Sequence, residues 1–188
     1  MQRYALGLVL WLLFNSASAT NFAAEVKHTE ISHQNGYYFL AADLEYHLSP
    51  QAKEALHNGV PLFWQVDVRL NQLRDFWWDK VKLKYSLRYQ LQYHALLNMY
   101  RVKNENTGEI HNFSTLSAAL DSMAIIRGLP LINTKNVLPN RDYAIAIKIL
   151  FEEDELPLPL QTQVIANSQW QLSSNWTYWN LLVDKVQP

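Results

Sequence analysis

The sequence predicts a mainly β protein, an antiparallel immunoglobulin-like or C2-like β-sandwich with two short helices. Several segments alternate apolar and polar residues with period two, which is typical of antiparallel strands that bury one face. Turn residues separate these segments, and only two short segments show the apolar spacing of a helix. This pattern favours hairpins packed as two sheets, with the helices as covers or crossovers.

The first hairpin is predicted at the Asn-Gly pair 35–36, because this pair accepts the positive φ angles of a type I′ turn. It joins strands near residues 25–33 and 37–48, and the apolar residues of the second strand share one face. The Ser-Pro pair 49–50 predicts the start of a short helix, since Ser is a good N-cap and Pro is tolerated in the first turn. Gly59 predicts the end of that helix.

The centre of the chain contains the longest alternating segments. Residues 60–71 and 81–93 alternate without interruption, which predicts two strands, the second long and half-buried. Apolar residues move to even positions after Tyr93, so a bulge or bend is expected at residues 93–97. The Asn-Thr-Gly sequence within residues 104–109 predicts the next hairpin turn.

A second helix and a loop are predicted next. Ser114 is placed to cap a helix with apolar residues three or four apart, and Gly128 is placed to end it. Residues 128–141 contain two prolines, three asparagines and little periodicity, so they predict a loop.

Three strands are predicted at the C-terminal end of the chain. Residues 143–151 alternate, and the acidic run at 152–155 predicts a solvated turn. Residues 156–165 predict a return strand at an edge or with a bulge, because Pro157 and Pro159 cannot donate to a ladder. A last aromatic strand is predicted through Trp170, Trp176 and Trp179.

Residues 1–19 predict a secretory signal peptide. Arg3 supplies a positive n-region, residues 4–14 form an apolar run, and Ala17 and Ala19 give the small-x-small cleavage pattern. The run is too short for a bilayer core that needs about 20 residues, although a retained N-terminal membrane anchor is the alternative. We expect one β-sandwich domain over residues 20–188, periplasmic or secreted, with no transmembrane span in the mature chain.

The composition excludes several classes of function. The chain has 188 residues with 16 basic and 17 acidic side chains, so it lacks the basic excess of a nucleic-acid-binding protein. It has no cysteine, which excludes disulfides, thiolate metal sites and a cysteine nucleophile. It also contains no nucleophile elbow, zinc-protease motif or phosphate-binding loop. We therefore predict no catalytic residues, no metal, no cofactor and no enzymatic activity.

The aromatic connection at residues 74–79 is the most conspicuous candidate site. Its tryptophans suit an exposed platform for a glycan, a lipid headgroup or a partner protein. The structural alternative is that the aromatics fold back and cover one end of the sandwich, as most large apolar side chains are buried. The candidate binding residues here are Arg74, Phe76, Trp77, Trp78 and Asp79.

Tyr93 and His94 form a second candidate site, because a bulge re-aims side chains. A histidine in that position can titrate, bind metal or move protons. The structural alternative is a hydrogen-bonded histidine with no function of its own.

An ordered set of short motifs spans most of residues 30–180. The motifs are LSP (48–50), ALHNGVPL (55–62), WWD (77–79), LQYHAL (91–96), YRV (100–102), FSTL (113–116), AAL (118–120), LPLPL (156–160) and WQLSSNW (170–176). In this set the chain resembles a bacterial secreted domain-of-unknown-function family. The resemblance implies an envelope protein without established activity, often encoded beside a two-component system of the nitrogen-regulation type. It implies no catalytic residues.

Three functions remain open at this point. The first is a non-enzymatic periplasmic module that binds an envelope protein partner or reports envelope state. The alternatives are a glycan- or lipid-binding module that uses the same aromatics, and a hydrolase that uses dispersed carboxylates. Those carboxylates are Asp43, Glu45, Asp67 and Asp79.

Overall fold

The computed structural model describes residues 22–74, 78–138, 141–164 and 167–181. Its strands are β1 (Glu25–Gln34), β2 (Tyr37–Glu45), β3 (Leu62–Gln72), β4 (Lys80–His94), β5 (Met99–Asn104), β6 (Ile110–Phe113), β7 (Ile125–Asn133), β8 (Tyr143–Phe151) and β9 (Thr177–Leu181). Its helices are α1 (Pro50–His57), α2 (Leu116–Met123) and α3 (Leu158–Val164). The predicted cleavage residues Ala17 and Ala19 lie outside the described residues.

The strands form two antiparallel sheets in a sandwich-like arrangement, which confirms the predicted fold class. The smaller sheet has the order β1-β2-β7, and the larger has the order β6-β5-β4-β3-β8-β9. Strand β1 packs against β8 and β9, whereas α1 contacts β4 and α2 contacts β5 and β6. The small sheet and the helices therefore cover different parts of the same large sheet.

The core follows the predicted alternation. On β2 and the segment after it, the alternate apolar residues are all buried, as are those of β3 and β8, where period two places them on the inner face. The alternate apolar residues buried in these segments are Tyr38, Leu40, Ala42, Leu44, Tyr46, Leu48, Leu62, Trp64, Val66, Val68, Leu70, Tyr143, Ile145, Ile147, Ile149 and Phe151. In β8, Ala144 and Ala146 on the opposite face are buried as well.

The local signals near the N-terminal hairpin and helix are confirmed. Asn35 has a φ of 50° and Gly36 a φ of 77°. Positive values at both positions are what a type I′ turn requires. The Ser49 hydroxyl accepts a hydrogen bond from the Ala52 amide at 3.1 Å, which makes Ser49 the N-cap of α1. Gly59 follows the helix with a φ of 85°.

Of the bulge or bend predicted at residues 93–97, the structure has a turn and no bulge. Strand β4 continues to His94, and a four-residue turn at 95–98, with Asn98 in the left-handed region, leads into β5. Tyr93 pairs with Tyr100 across this hairpin. Because the turn has four residues, odd-numbered residues of β4 pair with even-numbered residues of β5. The inward-facing positions are therefore odd-numbered in β4 and even-numbered in β5, with no bulge between the strands.

The loop predicted at residues 128–141 is also wrong in its first part, because strand β7 extends to Asn133. Helix α2 is capped by Thr115 instead of Ser114, and it ends at Met123 instead of near Gly128. Strand β7 is an edge strand whose pairing with β2 shifts register twice. Gly128 lies in this irregular strand with a φ of 63°. The shifts accommodate it, and they also accommodate Pro130, which has no amide to donate.

The return strand predicted at residues 156–165 is replaced by α3. Leu160 and Val164 are four residues apart, so they lie on one side of this helix, and they pack against the core together with Leu156, which precedes the helix. Pro159 falls in the first turn, where a missing amide costs no helical hydrogen bond. The final aromatic segment is shorter than predicted, since β9 includes only Trp179 of its three tryptophans.

Candidate functional site

The connection between β3 and β4 places Trp78 in solvent. Its side chain is 92% exposed, so it does not fold back over the sandwich. The Arg74 amide donates a hydrogen bond to Asp79 Oδ1 at 3.3 Å, which links the two sides of the connection. Phe76 and Trp77 lie outside the described residues.

Tyr93 belongs to an aromatic cluster at the other end of β4. Its ring centroid lies 4.9 Å from that of Tyr100 and 5.1 Å from that of His57, the last residue of α1. The Nε2 atom of His57 is 2.8 Å from the Tyr100 hydroxyl. Burial, with a smaller effect of the nearby Tyr93, raises the pKa of Tyr100 above 10.0. His94 is partly buried, and its Nε2 atom has no hydrogen-bond partner among the described residues.

The two predicted candidate sites do not meet. The first precedes Lys80 and the second ends with His94, so the whole of β4 separates them. At about 3.3 Å per residue, this distance is roughly 46 Å. The structure therefore provides two separate surfaces, one at each end of the longest strand.

Asp67 and Asp79 are also far apart. Asp67 pairs with Ser86, whereas Asp79 adjoins the pair of Gln72 and Lys80. From Asp67 to Gln72 strand β3 advances five residues, so Asp67 and Asp79 are separated by about 17 Å along the strand. Two carboxylates that share a glycosidic bond lie at most about 9.5 Å apart. These two groups are therefore not placed to act on one glycosidic bond.

The Asp67 carboxylate is instead enclosed on the outer face of the large sheet, with its side chain only 4% exposed. It accepts hydrogen bonds from Ser86 Oγ at 2.7 Å and Gln65 Nε2 at 2.9 Å. Arg69 and Lys84 lie 3.6 and 3.7 Å from its second oxygen. A buried charge satisfied in this way serves the sheet's own structure.

The other two carboxylates are each paired with a cation. Asp43 forms an ion pair with Arg127 of β7. Glu45 Oε2 lies 2.7 Å from Lys27 Nζ, and this hydrogen bond lowers the pKa of Glu45 below its usual 4.5.

A groove of about 740 Å³ lies where the end of β2 meets α1 and α2. This volume falls within the range of small-molecule pockets, and apolar walls with a few polar groups are typical of them. The residues that line it are Phe22, Leu44, Glu45, Tyr46, His47, Leu48, Lys53, Leu116, Ser117, Leu120, Asp121 and Ala124.

The sequence patterns do not predict this groove directly, although one signal points to it. The alternation of residues 37–48 continues past Glu45, where β2 ends, so Tyr46 and Leu48 stay buried outside any strand. An apolar face that outlasts its strand must be covered by another element, and α1 and α2 supply that cover.

The residues that build this fold match one known family. The matched segment, residues 22–180, begins at Phe22 in the groove and ends within β9, and the family is described as Domain of unknown function (DUF4390). The chain belongs to the DUF4390 family. No curated protein and no solved structure matches the chain.

The chemistry available to the DUF4390 domain can be stated from its described residues. Within them, no group of three or more His, Asp or Glu residues is arranged to hold a metal ion. No helix in the described ranges is long and apolar enough to cross a membrane. The features suited to recognition are the exposed Trp78, the groove beside α2 and the turn that follows Tyr93.

Proposed function

We propose that the protein is a non-enzymatic interaction module of the cell envelope that binds a protein partner through the β3–β4 connection. The observation that carries the proposal is the exposure of Trp78 at this hairpin tip. A tryptophan offers a large, rigid apolar surface and an indole N–H donor, and tryptophan is among the residue types most enriched at binding hot spots. The hydrogen bond between Arg74 and Asp79 beside it restricts the connection before binding, so less conformational entropy is lost when a partner binds.

The location in the envelope is part of the same proposal. Arg3, the apolar run at 4–14 and the small residues Ala17 and Ala19 support export through a signal peptide. The proposal also includes a role in envelope sensing. In this role the protein partner is connected with a two-component system of the nitrogen-regulation type. A signal-peptide cleavage after Ala19, read by mass spectrometry of the exported protein, tests the export step.

Photo-crosslinking in living cells tests the binding surface. A photoreactive aromatic amino acid at position 78, which keeps a large ring in place of the indole, is expected to give one discrete adduct with an envelope protein. The matched control is position 178, since Tyr178 is an exposed aromatic on β9, an edge strand separated from the β3–β4 hairpin by β8. An excess of unlabelled wild-type protein should compete for the adduct, whereas unlabelled Trp78→Ala protein should not.

Two outcomes contradict the proposal. Adducts that form equally from positions 78 and 178, or that the Trp78→Ala competitor removes as well as wild type does, indicate non-specific contact. An adduct with glycan or lipid in place of protein favours the alternative of a glycan- or lipid-binding module.

A further inference from the structure

The turn between β4 and β5 presents two adjacent leucines to solvent. Leu96 is fully exposed and Leu97 is 62% exposed, and they occupy the middle of the four-residue turn at 95–98. Two exposed leucines at a hairpin tip form an apolar surface that the fold itself does not use. This tip lies at the opposite end of β4 from Trp78.

The turn is held in shape by the residues behind it. The Tyr93 hydroxyl donates a hydrogen bond to Asn98 Oδ1 at 2.7 Å, and the Leu97 amide donates one to the His94 carbonyl at 3.1 Å. The Tyr93 ring in turn packs against Tyr100. The leucines are therefore presented by a defined hairpin, which lowers the entropy lost when they bind.

The hairpin that carries this tip has an unusual distribution of charge. Residues 80–104 contain 6 of the chain's 16 lysines and arginines and none of its 17 acidic residues, in a chain whose net charge is -1. Only those cations that have no carboxylate partner of their own and lie near the tip can attract an anionic partner there. The six cations are Lys80, Lys82, Lys84, Arg88, Arg101 and Lys103.

Three of these cations are neutralised by other parts of the chain. Arg88 pairs with two glutamates beyond β8, at positions 152 and 155. Lys84 lies near Asp67, and Lys103 pairs with Glu105 just after β5.

The other three cations are Lys80, Lys82 and Arg101, which form no ion pair with a carboxylate among the described residues. Of these, Arg101 is nearest the tip, because it follows Met99 by two residues on β5. Its Nε atom donates a hydrogen bond to the neutral Asn112 side chain at 3.2 Å, so its charge stays available to a partner.

We propose that this tip, residues 95–98, inserts into the surface of an anionic lipid bilayer. A convex apolar tip needs a partner that closes around it, and a bilayer does so without a preformed pocket. Tyr93 and Tyr100 lie behind the leucines, where aromatic rings favour the headgroup region. Arg101 lies close enough to that region to attract anionic headgroups within a Debye length of about 8 Å.

The inference goes beyond the proposed function and is independent of it. The leucine tip and Trp78 lie at opposite ends of β4. The length of that strand keeps them roughly 46 Å apart. A protein anchored by the tip therefore holds Trp78 away from the bilayer, where a partner can reach it.

Site-specific fluorescence tests the insertion directly, because the chain has no cysteine of its own. The Leu96→Cys variant is labelled with an environment-sensitive fluorophore and mixed with phosphatidylethanolamine–phosphatidylglycerol vesicles. We expect a blue shift and quenching by nitroxides attached to the lipid chains. The matched control is Leu138→Cys, an exposed leucine near Tyr143 at the other end of the large sheet, which should not respond.

A second variant measures the contribution of the leucines with an unlabelled protein. The Leu96→Asn/Leu97→Asn protein should bind these vesicles about tenfold or more weakly than wild type, because it loses two leucine side chains that become partly buried in the bilayer. Arg101→Gln should weaken binding to these vesicles and leave binding to phosphatidylcholine vesicles unchanged.

Three outcomes overturn the inference: no response of the label at position 96, an equal response at 138, or a response to envelope proteins without lipid. Crosslinking from position 78 is a separate readout. Its loss in the double asparagine variant, with vesicle binding intact, shows that the leucines serve the protein partner instead.

Discussion

Arg88 of β4 and Glu152 beyond β8 form an ion pair across β3, with Arg88 Nη2 2.6 Å from Glu152 Oε2 and Arg88 Nε 3.1 Å from Glu152 Oε1. The guanidinium also lies over the Phe63 ring of β3, 4.8 Å from its centroid. The arginine side chain is 30% exposed and the glutamate side chain 21% exposed. Solvent therefore screens the pair less than it screens an ordinary surface pair. The contact joins the three central strands of the large sheet on its outer face.

Replacing Arg88 by Lys should destabilise the fold by about 1 kcal/mol, because a lysine keeps the charge but loses the planar fork and the contact with Phe63. Arg88→Met should cost about 1–3 kcal/mol, since Glu152 then loses its charged donor. Urea unfolding followed by circular dichroism measures both changes. The control is Arg101→Lys, which should change the free energy of unfolding by less than about 0.5 kcal/mol. A lysine variant as stable as wild type would show that the bidentate geometry contributes nothing.

Trp64 lies in the middle of the core with its indole N–H unpaired among the described residues. Its ring contacts Tyr46 edge-on at 5.7 Å and Phe151 at 5.2 Å, and its Nε1 atom has no hydrogen-bond partner among the described residues. Trp64→Ala should cost about 3–5 kcal/mol because it leaves a large cavity. Trp64→Phe should cost less than about 2 kcal/mol, since it keeps most of the ring and removes an unsatisfied donor. If calorimetry finds the two losses equal, the N–H has a partner that phenylalanine cannot replace.

The parts of the fold that could be predicted from the sequence are those fixed by neighbours in the chain. The Asn-Gly turn at 35–36, the Ser49 cap and the alternation of β3 and β8 depend on local backbone preferences and on one buried face. Strand β7 could not be predicted, because Gly128 and Pro130 disfavour a strand unless an edge position and register shifts accommodate them. The sequence does not reveal helix α3, because Pro157 precedes it and Pro159 lies in its first turn, although Leu160 and Val164 have a helical spacing.

The candidate sites were predicted less completely, because exposure depends on the packing of distant segments. Trp78 was identified as a candidate residue, but its residue type favoured a buried role, and only the tertiary structure shows it in solvent. The sequence does not reveal the leucine tip, because the change of parity after Tyr93 is compatible with a bulge or bend within one strand as well as with a hairpin turn. Asp67 falls on the polar face of β3, and its burial comes from Ser86, Gln65 and the cations around it.

The hydrogen bond between Lys27 and Glu45 should make stability depend on pH. Because this hydrogen bond keeps the pKa of Glu45 below 4.5 in the folded state, the unfolded chain binds more protons near that pH. Its stabilising effect is therefore present above pH 4.5 and is lost as the pH falls through the folded pKa. Both side chains are exposed, so the effect on stability is small, and nuclear magnetic resonance titration of the Glu45 carboxyl is the suitable measurement.

In that titration, Lys27→Met should raise the pKa of Glu45 towards 4.5. Lys53→Met is the matched control, because Lys53 lines the same groove as Glu45 without contacting its carboxylate. An unchanged Glu45 titration in the Lys27 variant would show that another group holds the carboxylate in its charged form.

Gly128 provides a test of the strand that local patterns did not reveal. Its φ of 63° is unfavourable for a residue with a Cβ, yet a Cβ built at this position meets no atom within 4 Å. The cost of Gly128→Ala is therefore conformational alone, about 1–2 kcal/mol, with no steric clash to add to it. Gly128→Asn should cost clearly less, because asparagine tolerates the left-handed region. Urea unfolding of the two variants measures this difference. Equal losses, or an alanine variant as stable as wild type, would mean that β7 passes residue 128 with an ordinary extended backbone.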